Sequence, residues 1–477
     1  MIASARRQAT LVATTKNATI LGAACILGLA LASCASGPRL YPAAPTLLPG
    51  VTAEMNGPGY WIARHPAPDE LIMGETEIAA FNAGLRERGL THDLWDALPT
   101  GPALAREMEA AARWFSAAGY YTAKGARVNE AFVEPIRRLM AIDALPAYPE
   151  PRFAFLSERT GLRALPSAEP LLDAPGDWYT DNLLASSLEP GLPLVVLHDS
   201  ADGRWSYVRA ERASGWVPAA ALVPADAETF AAGRDRAGVL VVAARAELFE
   251  DPTCTRYALF VRMGTRLWDA PAEEATGMGS DGTALPVVLP VRDATGAYAE
   301  RILWVAADAV RDRPLPYTPR AVITQAFRLL NAPYGWGGDF GERDCSQFLC
   351  EIFATVGLVL PRNSSAQAKA GLPTEGFVAG ATDEAKRAAL AACVPGATVI
   401  RLPGHIMLYL GESDGEPFVI HSTFAYKEPG FARDRWRLIN RVAVSGLNLG
   451  AGTKRGSHLS RATNAQVLRV PPEADAP

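Results

Sequence analysis

The feature that most constrains this chain is that the spacing of its apolar residues changes twice along its length. From about 65 to 145 apolar residues recur at three and four positions, as in EIAAFNAGLRERG (77–89) and GPALAREMEAAARWFSAAGYY (101–121), which predicts helices with one buried face. VNEAFVEPIRRLMAID (128–143) continues that pattern, and Pro135 within it is expected to kink or restart the helix. From about 152 to 312 short apolar runs alternate with Gly, Pro and Asp, as in PLVVLHDSADGRWSYVRAERASGWVPAAALV (193–223), the pattern of short strands joined by turns. After the Pro-rich boundary RPLPYTPR (313–320) come two helix candidates, AVITQAFRLLNAPY and CSQFLCEIFATVGL. The strand candidates ATVIRL (397–402), HIMLYLG (405–411) and PFVIHS (417–422) follow. Helices followed by an antiparallel meander define an α+β unit. At 477 residues the chain is too long for one core, so these changes of period read as domain boundaries.

The first residues are a separate matter. Arg6, Arg7 and Lys16 precede an apolar run, ILGAACILGLALAS (20–33), which suits a secretory signal and is short for a membrane span. It ends in LASC (31–34), which resembles the bacterial lipoprotein signal, so Cys34 is the expected lipidation site. Ordinary secretory cleavage beside an incidental cysteine is the alternative. The residues after Cys34, Ala35 and Ser36, include no Asp at the second place; by analogy with Gram-negative lipoproteins this favours the outer membrane, facing the periplasm. GPRLYPAAPTLLPG (37–50) reads as a tether. A net charge of −5 without any Lys/Arg-dense stripe argues against a nucleic-acid partner.

Export permits disulfides. Once Cys25 leaves with the signal and Cys34 is lipidated, Cys254, Cys345, Cys350 and Cys393 remain. Five residues apart in a helix, Cys345 and Cys350 lie about 8 Å from each other between Cα atoms, beyond disulfide reach. Cys345 is therefore expected to be free.

Cys345 stands where a glycine-rich run, YGWGGDFGE (334–342), gives way to the helix candidate. The unpaired N–H groups and dipole at a helix N-terminus favour a thiolate, which is the nucleophilic form. An imidazole beside it would accept and later return the proton. Of six histidines, His405 opens one strand and His421 ends the next, so neighbouring antiparallel strands can bring both rings to one side of the sheet, with His421 orienting His405. A small buried hydrophobe is the other reading of Cys345. His65, His92, His198 and His458 read as structural residues away from this set, and no Cys/His spacing suggests a metal site. No cofactor is expected.

The segment YGWGGDFGERDCSQFLCEIFATVGLVLPRNSSAQAKAG, with PGATVIRLPGHIMLYLG and FVIHS, resembles the NlpC-type family of papain-like cell-wall cysteine peptidases. WSYVRAERASGWVPAAAL (205–222) resembles bacterial SH3-like domains. The implied architecture is multidomain: signal peptide (1–34), tether (35–60), helical N-terminal domain (61–150), SH3-like β-barrels (151–225 and 226–318) and an α+β papain-like catalytic domain (319–471). The resemblance makes Cys345 the nucleophile, His405 the general base and acid, and His421 the orienting residue. The implied substrate is the peptidoglycan stem peptide, cut at the amide between γ-linked D-Glu and a diamino acid. Asp344 would hold the ammonium of an N-terminal L-Ala, Tyr334 would add an oxyanion donor, and Trp336 an apolar wall. Ser346, Ser364 and Ser365 would contact the stem backbone. In the multidomain subgroup the first SH3-like domain closes one end of the cleft; Tyr207, Asp177 and Asp181 are the residues it could use here. A related papain-like amidase or acyltransferase, and a non-catalytic wall-binding lipoprotein, are the competing readings.

Overall fold

The computed structural model describes residues 41–95, 98–271, 283–378 and 380–471. The signal region and Cys34 lie outside them. Four helices open the described chain: α1 (Pro58–Ile62), α2 (Glu75–Glu87), α3 (Gly101–Ala117) and α4 (Glu130–Leu139). Thr100 and Asn129 cap α3 and α4 by accepting the N–H groups of Ala103 and Phe132. Pro135 does not interrupt α4, which runs through it as one element. The expected restart is therefore absent, and the Met140 N–H still closes on the Ile136 and Arg137 carbonyls beyond the proline.

These helices form no core of their own. Phe81 and Leu85 of α2 join the core of the C-terminal unit, whereas Leu104, Met108 and Ala112 of α3 and Val133 of α4 pack on Phe155, Val195 and Trp216 of the first barrel. An amphipathic helix has one apolar stripe and must bury it against another layer; here two different layers supply it.

The segment expected to be a free tether is docked from its first described residues. Ala44 N–H donates to the Leu438 carbonyl at 2.7 Å, and Leu438 N–H donates to Pro42 at 2.8 Å. Leu48, Val51 and Met55 are buried in the C-terminal core. Pro and Gly content suggested a linker, but these three apolar side chains give the segment a surface to bury.

A two-residue strand β1 (Tyr121–Thr122) pairs outside the barrels with β4 (Leu171–Leu172). The first barrel comprises β2 (Arg152–Leu156), β3 (Thr160–Arg163), β5 (Leu184–Leu188), β6 (Pro193–Asp199), β7 (Trp205–Arg209), β8 (Ser214–Pro218) and β9 (Leu222–Ala225), in the order β5-β3-β8-β7-β6-β2-β9. The short helix α5 (Ala227–Asp235) leads to a second seven-stranded sheet. Its strands are β10 (Gly238–Val241), β11 (Arg245–Phe249), β12 (Tyr257–Arg262), β13 (Arg266–Asp269), β14 (Ala284–Arg292), β15 (Tyr298–Ala306) and β16 (Val310–Arg311).

The C-terminal unit begins with α6 (Pro319–Arg328) and α7 (Cys345–Ala354), then the single turn α8 (Ser364–Gln367), β17 (Leu372–Pro373) and α9 (Asp383–Ala391). Its sheet continues with β18 (Thr398–Leu402), β19 (His405–Ser413), β20 (Glu416–Glu428) and β21 (Arg435–Gly446). After the turn α10 (His458–Arg461) the last strand, β22 (Asn464–Val467), completes the order β17-β22-β18-β19-β20-β21. Phe348, Ile352 and Phe353 of α7 pack with Ile406, Leu408 and Ile420 of the sheet. That packing holds the start of α7 over β19 and β20.

Candidate active site

Asp344 ends the glycine-rich run and caps α7, its carboxylate accepting the Gln347 N–H at 2.8 Å. The next residue, Cys345, therefore sits in the first helical turn, with its side chain almost wholly buried. The backbone N–H of Ile406 reaches its sulfur, which places the thiol against the start of β19, beside His405. The structure makes a Cys at that point possible through the preceding loop. Gly337 and Gly338 have φ of +61° and +91°, a backbone region that side chains strain to occupy, and the turn swings the chain into the helix.

His405 Nε2 and His421 Nδ1 are 2.6 Å apart, and His421 Nε2 meets Ser445 Oγ at 3.1 Å. Two tautomer assignments satisfy these contacts: one runs from the Ser445 hydroxyl through His421 to His405 Nε2, and the other, which proton transfer from the thiol needs, runs from His405 Nε2 to His421 and from its own Nε2 to Ser445. In the second, His405 Nδ1 is left for the sulfur. Sequence reading brought Cys345, His405 and His421 together; Ser445 came only from the fold, since it lies on β21, two residues along from the partner of His421. His458 is corrected. Expected far from the constellation, it lies with its ring centroid 6.2 Å from His405 and 5.7 Å from His421, because α10 folds back over the sheet, where Leu459 is buried.

Burial dominates the protonation states. It pushes the Cys345 thiol up to about 12, the Asp344 charge adding to it, against the opposing Ile406 N–H and Arg362. The helix N-terminus was expected to lower this thiol; in the closed site desolvation outweighs that effect. Burial, then the Arg461 charge, lowers His405 to about 4. His421 falls well below its ordinary value through burial and its two neighbouring imidazoles. At neutral pH the set holds a thiol and a neutral imidazole able to take its proton.

Asp344 has partners other than the expected ones. Arg362 Nη2 and Nη1 grip its carboxylate at 2.8 and 3.1 Å, and Ser346 Oγ donates to it at 3.1 Å. Burial alone would raise the carboxyl, but Arg362 holds it below the usual range. Its charge is already balanced, so the expected ammonium site corresponds in the structure to a helix cap and ion-pair partner. Ser346 Oγ also accepts from Arg362 at 2.8 Å. Ser364 and Ser365 open α8 just after Arg362, and Ser365 Oγ accepts from Arg401 at 3.0 Å. The Tyr334 ring is 6.0 Å from Phe424. Burial, then the Cys345 and Asp344 charges, raises its phenol. Trp336 opens the loop Trp336–Gly341 and is half-buried.

The first barrel reaches this site through β5. Arg362 Nε donates to Ser186 Oγ at 2.9 Å, and Gly337 and Gly338 lie directly on Leu184 and Ser187. Tyr207 is not at the cleft. It is buried in the barrel with its hydroxyl on Glu107 of α3 at 2.7 Å, because its strand position faces the helical layer. Asp181 pairs with Arg163 at 2.9 Å, and Asp177 is buried.

A helix-borne cysteine set against a strand-borne histidine with a second polar ring behind it defines a papain-like thiol site. Residues 331–428 match the sequence model of the NlpC/P60 family, and residues 170–218 that of the SH3 domain of SH3b1 type. No curated protein matches the chain. An NlpC/P60 endopeptidase from Photobacterium damselae subsp. piscicida superposes over 90% of this chain and 99% of its own, with a TM-score of 0.70 at 18% identity. An NlpC/P60 family protein from Bacillus cereus ATCC 10987 covers 66% of this chain and 98% of its own at 21% identity, with a TM-score of 0.45. The C-terminal unit is an NlpC-type domain of a cysteine peptidase family, carried behind bacterial SH3-like domains.

Proposed function

We propose that the protein is a cell-wall cysteine endopeptidase that hydrolyses the amide between γ-linked D-Glu and a diamino acid, such as meso-diaminopimelate, in peptidoglycan stem peptides. One observation carries this reading: Cys345 begins α7 against the start of β19, whose His405 is bonded to His421. The sulfur attacks the γ-carbonyl, forming a C–S bond, while its proton passes to His405 Nδ1. Backbone N–H groups at the start of α7 and the Tyr334 hydroxyl would face the oxyanion. Collapse breaks the C–N bond as His405 returns the proton to the departing amine. Water then attacks the thioester, His405 accepts its proton, and release of the carboxylic acid restores the thiol.

The proposal includes a lipid on Cys34 that holds the protein at the outer membrane, facing the periplasm. It also includes a preference for stem peptides with a free N-terminal L-Ala, for which the support is β5 lying across the glycine loop and narrowing that end of the site. A related papain-like amidase or acyltransferase is the second reading. It is favoured by the Arg362 ion pair, which occupies the carboxylate expected to receive the substrate ammonium.

The deciding experiment incubates the signal-free protein with L-Ala-γ-D-Glu-diaminopimelate and with intact sacculi, beside Cys345→Ala. Release of the diamino acid from the peptide by the native protein alone is expected; release from neither substrate sinks the endopeptidase reading. Equal release from sacculi and peptide removes the free-terminus preference. Palmitate labelling of the full chain should vanish in Cys34→Ser, and label that persists removes the anchor.

A further inference from the structure

A cavity of about 590 Å³ lies away from the thiol site, between α6, the end of the second barrel and the segment around Leu71. Gln325 of α6 lines it and is 1% exposed. Both its amide nitrogen and its amide oxygen lack a hydrogen-bond partner. A buried amide left wholly unpaired is costly, roughly 1–3 kcal/mol for each group, so this side chain calls for a partner that both donates and accepts. A peptide bond does both.

The rest of the lining extends that reading. Leu71, Val242 and Pro316 supply apolar wall. Three guanidinium groups, Arg311, Arg320 and Arg328, face the same space with one carboxylate, Asp69. Asp69 is taken by Arg320 in a two-point pair at 2.6 and 2.8 Å. Arg328 spends one N–H on the Val242 carbonyl, and Arg311 uses one nitrogen on backbone carbonyls. Two positive charges are thus left without a carboxylate in the cavity lining, and one of them, Arg328, lies a helical turn from Gln325 on the same face of α6.

We propose that this cavity binds a short peptide through its free C-terminal carboxylate. Gln325 pairs with a peptide bond, Arg311 and Arg328 hold the carboxylate, and the apolar wall takes small side chains. The site shares no residue with the thiol centre, so it stands whether or not the chain cleaves stem peptides.

Isothermal titration of the signal-free protein with N-acetyl-L-alanyl-L-alanine, its C-terminal amide and acetate tests the proposal. The acid should bind saturably, and the amide about tenfold or more weaker, as loss of a charge-assisted contact implies. Gln325→Met and Arg311→Gln should each weaken the acid by about tenfold. Gln325→Met replaces an unpaired buried amide by an apolar chain of similar shape, so its Tm should not fall; Arg311 is exposed, which makes its variant a second one safe for folding. Absence of saturable binding, equal affinity for acid and amide, acetate binding as tightly as the dipeptide, or unchanged affinity in Gln325→Met overturns the proposal.

Discussion

Ser445 shows how a site can extend past the residues that sequence motifs reveal. Its hydroxyl ends the chain of rings 3.1 Å from His421 Nε2, and by accepting there it would select the tautomer that leaves His405 Nδ1 for the thiol. Ser445→Ala would leave a buried ring N–H without a partner, at a cost of roughly 1–3 kcal/mol. It should lower kcat about tenfold with KM unchanged, while Ser445→Thr, which keeps the hydroxyl, should recover most of the rate. An unchanged kcat with a lowered Tm would mean that Ser445 only packs. The protonation states make a second prediction. With the thiol pushed up to about 12, its thiolate fraction grows tenfold per pH unit below that value, so alkylation of Cys345 by iodoacetamide should climb steadily from pH 7 to 10. With His405 lowered to about 4, the base is neutral above that pH, so kcat/KM should fall only as pH drops through about 4. Flat alkylation from pH 5 upward would instead indicate a preformed thiolate–imidazolium pair. Cys345, His405 and His421 were legible because each sits in a short local pattern, a glycine loop into a helix or the end of a strand. Ser445 and His458 were not. Their neighbourhood depends on the pairing of β20 with β21 and on the return of α10, neither of which is written near them in the sequence.

At the scale of elements, the glycine loop does two jobs. It delivers Cys345 to the start of α7, and it gives the first barrel a flat place to land. A Cβ on Gly337 would sit 2.4 Å from the Leu184 carbonyl oxygen of β5, in addition to the strain of a φ of +61°. Gly337→Ala should therefore destabilise by about 1–3 kcal/mol from the backbone alone, and prise β5 from the loop. Thermal melting should show the loss, and Cys345 should become more reactive toward iodoacetamide as the barrel loosens; unchanged melting and reactivity would contradict this role for the contact. Most elements were readable from periodicity: α3, α7 and the meander β18 to β20 follow their apolar spacing. What periodicity could not give was where their apolar faces go. The stripes of α2 and α3 look alike, yet Phe81 joins the C-terminal core and Leu104 joins the first barrel. Likewise Pro and Gly mark residues 42–50 as linker, while Leu48 and Val51, read singly, gave no sign of docking.

The whole molecule is joined through a buried charge network centred on Arg262, at the end of β12. Its side chain is 1% exposed. It donates to Glu189 at 2.6 Å and to the Ser187 carbonyl at 2.7 Å in the first barrel, and to the Glu342 carbonyl at 2.9 Å in the C-terminal unit. Glu351 of α7 lies 3.7 Å away and also pairs with Arg343 at 2.7 Å. Burial alone would raise the Glu189 carboxyl, but Arg262 and Arg159 hold it below its ordinary value, which favours the charged form of this carboxylate. One guanidinium therefore connects three units at the point where β5 meets the glycine loop. Such a junction adds little over a well-packed apolar contact, but removing one partner strands the others as buried unpaired charge, a loss of about 3–5 kcal/mol. Arg262→Ala should lower the melting temperature and split calorimetric unfolding into separate transitions as the barrels uncouple from the C-terminal unit. Arg262→Lys should restore little, because a single ammonium lacks the planar fork that reaches Glu189 and Glu342 together. A single transition at the native temperature in Arg262→Ala would mean that apolar packing alone holds the units together, and that the barrel position over the thiol site does not depend on this network.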